Sequence, residues 1–126
     1  MFKQVDYVMV MVSDMAKSVA FYRDKLGLPL KFESKDWTEF QTGATTLALH
    51  GGGVGQPPKP SNPGASYAGT CSIGFTVTDV EKSFQDLQAK GVNFVMPPKR
   101  QENEGIILAV CTDPDGLPVS LAQHLR

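Results

Sequence analysis

Residues 7–12, YVMVMV, form an unbroken apolar run that ends at a polar corner, Ser13 and Asp14. Beyond the corner the spacing changes. Met15, Val19, Tyr22 and Leu26 fall at i, i+4, i+7 and i+11, the stripe of one helix face, so a strand is predicted to turn directly into a helix. Ser13 or Asp14 supplies the side-chain acceptor for the helix start, and Gly27 stands where a left-handed residue ends it. Residues 28–33, 38–41 and 46–50 then read as three short strands separated by polar turns at 34–36 and 42–44. The first unit is βαβββ.

The same pattern returns. Asp14 and Asp79, Ser18 and Ser83, Met15 and Val80, Val19 and Phe84, and Tyr22 and Leu87 are all 65 residues apart. Agreement of polarity, cap and apolar phase at one offset marks a tandem duplication of one supersecondary unit. In the second copy residues 71–77 read as a strand, Thr78 to Glu81 spells a capping box, and Val80, Phe84 and Leu87 form the helix stripe that Gly91 ends. A strand at 92–96 is predicted to stop at Pro97 and Pro98. Two more, 106–111 and 117–123, are joined by the turn sequence DPDG at 113–116, where Asp113 and Asp115 are expected to hold the turn. Residues 51–69 hold nearly half of the glycine and proline and no periodic apolar pattern, and are read as a linker or a flap. GGG at 51–53 lacks the GK[ST] ending of a phosphate loop. The chain is therefore read as a single domain over 1–126, with module one at 1–50, the linker at 51–69 and module two at 70–126.

Alternation along a strand divides its residues between two faces. Val8, Val10 and Val12 make an aliphatic row expected under the first helix, leaving Tyr7, Met9 and Met11 on the opposite side. Parity puts Cys71, Ile73 and Phe75 under the second helix and turns Ser72, Gly74 and Thr76 away. Leu47, Leu49, Val119 and Leu121 are likewise expected to be buried, with Thr46, Ala48, His50, Ser120, Ala122 and His124 facing out. The fold class is α+β: two βαβββ modules whose curved mixed sheets are expected to enclose a cleft.

Composition narrows the partners. Twelve basic and thirteen acidic residues give a net charge of −1, without the clustered basic excess that nucleic acid or an acidic membrane demands. No run approaches the length of a membrane span, and the N-terminus lacks the features of a signal peptide. Cys71 and Cys111 sit in strand-like segments and are expected to be reduced core thiols of a cytoplasmic protein, although the face of Cys111 is left open.

The repeated strand, Asp corner and SxxFY-like helix, the glycine after each helix and the closing DPDG resemble the vicinal oxygen chelate superfamily, which includes glyoxalases, extradiol dioxygenases and bleomycin-resistance proteins. The resemblance covers nearly the whole chain. It implies a divalent ion held by His or Glu at the cleft-facing positions of the first, fourth, fifth and eighth strands. Those positions are Tyr7, Ala48, Ser72 and Ser120 here. Ala has no donor atom, Ser is a weak ligand, and tyrosinate needs a strongly electropositive site. A shifted site would have to gather His50 with Glu39 or Cys111. No Ser-His-Asp arrangement or paired cysteine base is recognisable either. Whether the chain is an enzyme is left open. The preferred reading is a metal-free module with no cofactor, binding a small apolar or aromatic molecule through Tyr7, Met9, Met11, Trp37, Glu39, His50, Ser72, Thr76 and Ser120, with Phe40 also considered. The other reading is a metal-dependent lyase, isomerase or dioxygenase of the glyoxalase type. A homodimer is expected, because the resemblance implies that a second copy covers the sheet edges.

Overall fold

The computed structural model describes residues 1–54 and 68–125. The remainder of the linker, 55–67, lies outside the described residues. The chain divides into two compact units, Met1–Gly55 and Gln56–Arg126. In the first, β1 (Tyr7–Met11) leads into α1 (Met15–Val19), a π-helical segment (Ala20–Lys25), β2 (Leu30–Glu33), β3 (Trp37–Thr42) and β4 (Thr45–His50). The second contains β5 (Ile73–Thr76), α2 (Val80–Ala89), β6 (Asn93–Gln101), a 3-10 turn (Glu102–Glu104), β7 (Ile106–Thr112) and β8 (Pro118–His124).

Each unit carries one mixed four-stranded sheet, ordered β1-β4-β3-β2 and β5-β8-β7-β6. The two orders are the same. In both, the first strand runs parallel to the last and the remaining pairs are antiparallel. Met9 pairs with Ala48 as Gly74 pairs with Ser120, so the duplication extends to register.

The helix starts match as well. Asp14 and Asp79 are both N-caps in extended conformation, accepting from the backbone N–H of Lys17 and Lys82 at 3.1 Å. The capping box expected at Thr78 to Glu81 is thus displaced by one residue, because Asp79 supplies the acceptor. A further anchor comes from the last strand, where Gln123 Oε1 accepts from Val80 N at 2.9 Å. Gly27 and Gly91 close the two helical segments at φ +78° and +86°, a conformation that costs glycine no Cβ clash.

Under the first helix, Val19 and Tyr22 are buried with Phe40, Leu47 and Leu49. Tyr22 lies 4.9 Å from Phe21 and 6.0 Å from Phe40 between ring centroids. The stripe does not keep a strict 3.6 period: Leu26 N donates to Phe21 O, an i to i+5 bond of the π-helical segment, and Leu26 is only partly buried. In the second unit Val80, Ala109 and Leu121 form the core, with Phe75, Val77, Leu87, Phe94 and Ile107 against it.

Three expectations are corrected. Val8 is 40% exposed, since β1 is an edge strand and the helix covers the sheet's interior strands instead. Cys71 and Ser72 precede β5, and Cys71 is exposed rather than core. β6 runs through Pro97 and Pro98 to Gln101. It does so as an edge strand with register shifts between Phe94 and Met96 and between Met96 and Lys99, where missing backbone donors are tolerated. The DPDG turn forms as expected. Buried Asp113 accepts through Oδ1 from Asp115 N and Leu117 N at 2.9 and 2.8 Å.

Candidate functional site

The face of the first sheet turned away from its helix carries most of the accessible aromatic and sulfur chemistry of that unit. Pleating puts Tyr7, Met9 and Met11 of β1, Trp37 and Glu39 of β3, and Thr46, Ala48 and His50 of β4 on this side. A register irregularity in β2, between Leu30 and Phe32, adds Phe32, which pairs with Glu39, and Lys31. Tyr7, Met9, Met11 and Phe32 are each about half exposed. A cluster of exposed apolar side chains of this size makes the face a candidate for binding.

Trp37 is the centre of the arrangement. Its backbone is fixed by Ser34, whose Oγ accepts from Trp37 N at 3.0 Å and donates to Trp37 O at 2.7 Å. Its indole N–H donates to Glu39 Oε2 at 2.7 Å. Tyr7 and His50 then flank the indole edge to face, with centroids at 6.1 and 6.0 Å. Lys31 Nζ donates to Thr46 Oγ1 at 2.9 Å and lies 3.8 Å from Glu39 Oε1. The His50 Nδ1 lies 2.6 Å from Gly51 O. A carbonyl only accepts, so Nδ1 carries the proton and Nε2 keeps its lone pair.

Six of the nine residues expected at the site therefore share one face: Tyr7, Met9, Met11, Trp37, Glu39 and His50. Ser72, Thr76 and Ser120 belong to the second unit. Thr76 is exposed on β5, Ser120 is half-buried on β8 opposite Gly74, and Ser72 lies before the strand. Phe40, considered with them, is buried on the helix side and lines no binding face. Lys31, Phe32 and Thr46 were not among the expected residues. Thr46 follows from strand parity alone, whereas the irregularity that turns Lys31 and Phe32 to this side has no sequence signal.

The donor set does not fit a hard divalent ion. Ala48 is fully covered and carries no donor, and Tyr7 is engaged against Trp37. Among the described residues no group of three or more His, Cys, Asp or Glu side chains is placed to hold a metal. His50 and Glu39 face the same side, but Trp37 is the residue opposite His50, while Glu39 is opposite Ala48. A separate depression of about 390 Å³ lies at Met15, Ala16, Glu33, Ser34 and Lys35. Its Ser34 hydroxyl is already committed to Trp37, and it offers no aromatic wall.

The thiols differ. Cys111 is buried on the helix side of β7, opposite Val119 and Phe94, and burial pushes its thiol up to about 11. Cys71 is exposed, its Sγ donating to Gly69 O at 3.7 Å. One thiol of two should react with a thiol-specific disulfide reagent in the native state, and the second only after unfolding; rapid reaction of both would contradict the burial. Because the folded thiol holds its proton past the unfolded value, the associated stability is complete at neutral pH. It should decline from about pH 9 upward.

A family model described as the glyoxalase/bleomycin resistance protein/dioxygenase superfamily matches residues 4–121. The chain belongs to that superfamily. Protein YraH of Bacillus subtilis (strain 168) is 31% identical over 115 residues, covering 86% of this chain and 88% of that protein. The crystal structure of SMU.1112c superposes with a TM-score of 0.82 at 28% identity, covering 98% of this chain and all of the other. The glyoxalase family protein from Enterococcus faecalis gives 0.80 at 25%, covering 97% and 98%. Superfamily membership settles the fold and leaves the chemistry to the site. Among the described residues no helix is long and apolar enough to cross a membrane.

Proposed function

We propose that this superfamily member is a small-molecule-binding protein that captures an apolar or aromatic ligand on the Tyr7, Trp37 and His50 face of its first sheet, without a divalent metal. The supporting observation is Ala48: a side chain with no donor atom occupies the fourth-strand ligand position, while edge-to-face rings surround Trp37. Exposed aromatic and thioether groups with few polar anchors suit planar apolar ligands, and methionines adapt to their outline. Lys31, Glu39 and Thr46 provide the polar rim. A second copy of the chain is the proposed partner for the exposed strand edges, giving a homodimer.

Trp37 is the only tryptophan, so binding reports itself in the intrinsic fluorescence. Titration with fused-ring aromatic compounds, anilinonaphthalene sulfonate among them, should change that emission saturably. A true ligand at 100 times its dissociation constant should raise unfolding free energy by about 2.7 kcal/mol. Protein purified without chelator should carry no stoichiometric zinc, nickel, manganese or iron. Finding one of them, bound at one per chain, would overturn the reading. Sedimentation showing only monomer at micromolar concentration would remove the dimer from it.

A further inference from the structure

Met9, Met11 and His50 share a feature that capture of aromatic molecules does not require. β1 and β4 run parallel, with Met11 directly opposite His50 and Met9 opposite Ala48 on the same open face. Neighbouring strands are about 4.8 Å apart and alternate residues about 6.6 Å apart, so an ion above the strand pair falls within reach of both flexible thioethers and the imidazole. Ala48, opposite Met9, contributes only a methyl group to that part of the face and is itself fully covered. Both methionines are about half exposed and His50 is exposed. The bond from Nδ1–H to Gly51 O, at 2.6 Å, orients the ring and leaves Nε2 as the donor. A histidine whose other nitrogen is tied to a carbonyl is prepared for metal ligation.

Two thioethers and one imidazole form a neutral, soft set. Magnesium, calcium and manganese prefer oxygen donors, and zinc prefers thiolate, imidazole and carboxylate, whereas thioether sulfur selects copper(I). The indole of Trp37 stands perpendicular to the His50 ring at 6.0 Å, and the Glu39 carboxylate bonded to that indole adds negative potential. We propose that Met9, Met11 and His50 constitute a binding site for a soft monovalent cation of the copper(I) class. Binding is reversible coordination by three neutral ligands; no electron is transferred, and the Nδ1 proton stays where it is. The inference stands independently of the aromatic-ligand reading, since it uses donor atoms rather than ring surfaces.

Silver(I), redox-inert and of the same class, is the probe. The test uses the full chain carrying Cys71→Ser, so that the exposed thiol does not capture the ion; Cys111 is buried. Silver nitrate titrated in chloride-free buffer should saturate Trp37 quenching at one equivalent. With methyl-labelled methionine, the resonances of Met9 and Met11 should move, out of five methionines in the chain. The double variant Met9→Leu and Met11→Leu keeps apolar volume at exposed positions, so it should unfold at the parental temperature while binding silver about 100-fold more weakly. Zinc(II) at the same concentration should produce neither signal. Undiminished silver binding by the double leucine variant would overturn the proposal, as would shifts confined to Met1, Met15 or Met96. The methyl shifts test it on the parent chain even if the variant misfolds. No organic ligand is present, so this outcome and that of the aromatic titration are read separately.

Discussion

Phe40→Ala is expected to lower the unfolding free energy by about 3–5 kcal/mol, read as a shift of the urea midpoint with unchanged slope. Phe40 is fully buried on β3, opposite Leu47, with its ring 6.0 Å from that of Tyr22. Its removal strips contacts from Tyr22, which has no exposure of its own and sits in the π-helical segment. That segment is held by hydrogen bonds running i to i+5 and so has little freedom to settle into the void. A cavity that cannot collapse costs both the transfer of the lost atoms and the contacts of its lining. Tyr7→Ala, on the exposed face, removes a ring of the same size together with its hydroxyl and should change stability by no more than about 0.5 kcal/mol. Equal losses from the two variants would mean that the helix side and the open face had been assigned the wrong way round.

That assignment was largely legible in the residues. The 65-residue offset located both N-caps, Asp14 and Asp79, and both terminating glycines, because each is a local requirement of the backbone met by its own side chain or by its lack of one. Parity placed Leu47, Leu49, Val119 and Leu121 inside, because a strand covered on one face has only two ways to alternate. What escaped depends on neighbours that are remote in sequence. Val8 has the parity of a core residue, but β1 becomes an edge strand only after β4 joins it. Pro97 and Pro98 look like a strand stop, yet β6 is also an edge, and its shifted register absorbs both. Cys71 has the correct phase for the core and lies two residues too early. The irregularity at Leu30 to Phe32 turned Lys31 and Phe32 toward the aromatic face without any glycine to announce it. Of the site, the row Tyr7, Met9 and Met11 follows from alternation, whereas the clamp of Ser34 and Glu39 on Trp37 depends on side-chain positions that alternation does not set.

Trp37→Ala is expected to weaken binding of anilinonaphthalene sulfonate, or of the best compound from an aromatic panel, by at least about 30-fold, the 2 kcal/mol that marks an interface anchor. The indole is large, half-buried and already immobilised by Ser34 on its backbone and Glu39 on its ring nitrogen, so ligand binding pays little to order it. Calorimetry must read the result, since the variant has no tryptophan to report. Two companions separate surface from hydrogen bonding. Trp37→Phe keeps a ring face but gives Glu39 no donor; Glu39 is only partly buried and water replaces the indole, so the loss should stay below about 10-fold. Glu39→Gln leaves an amide oxygen to accept from the indole and removes only the weak pairing with Lys31, so affinity should change little. If all three variants bind like the parent, the aromatic face of β1, β3 and β4 is not where the ligand sits. If Glu39→Gln alone abolishes binding, the ligand is recognised by charge rather than by ring surface, and a cationic or hydrogen-bonding molecule takes the place of an apolar one.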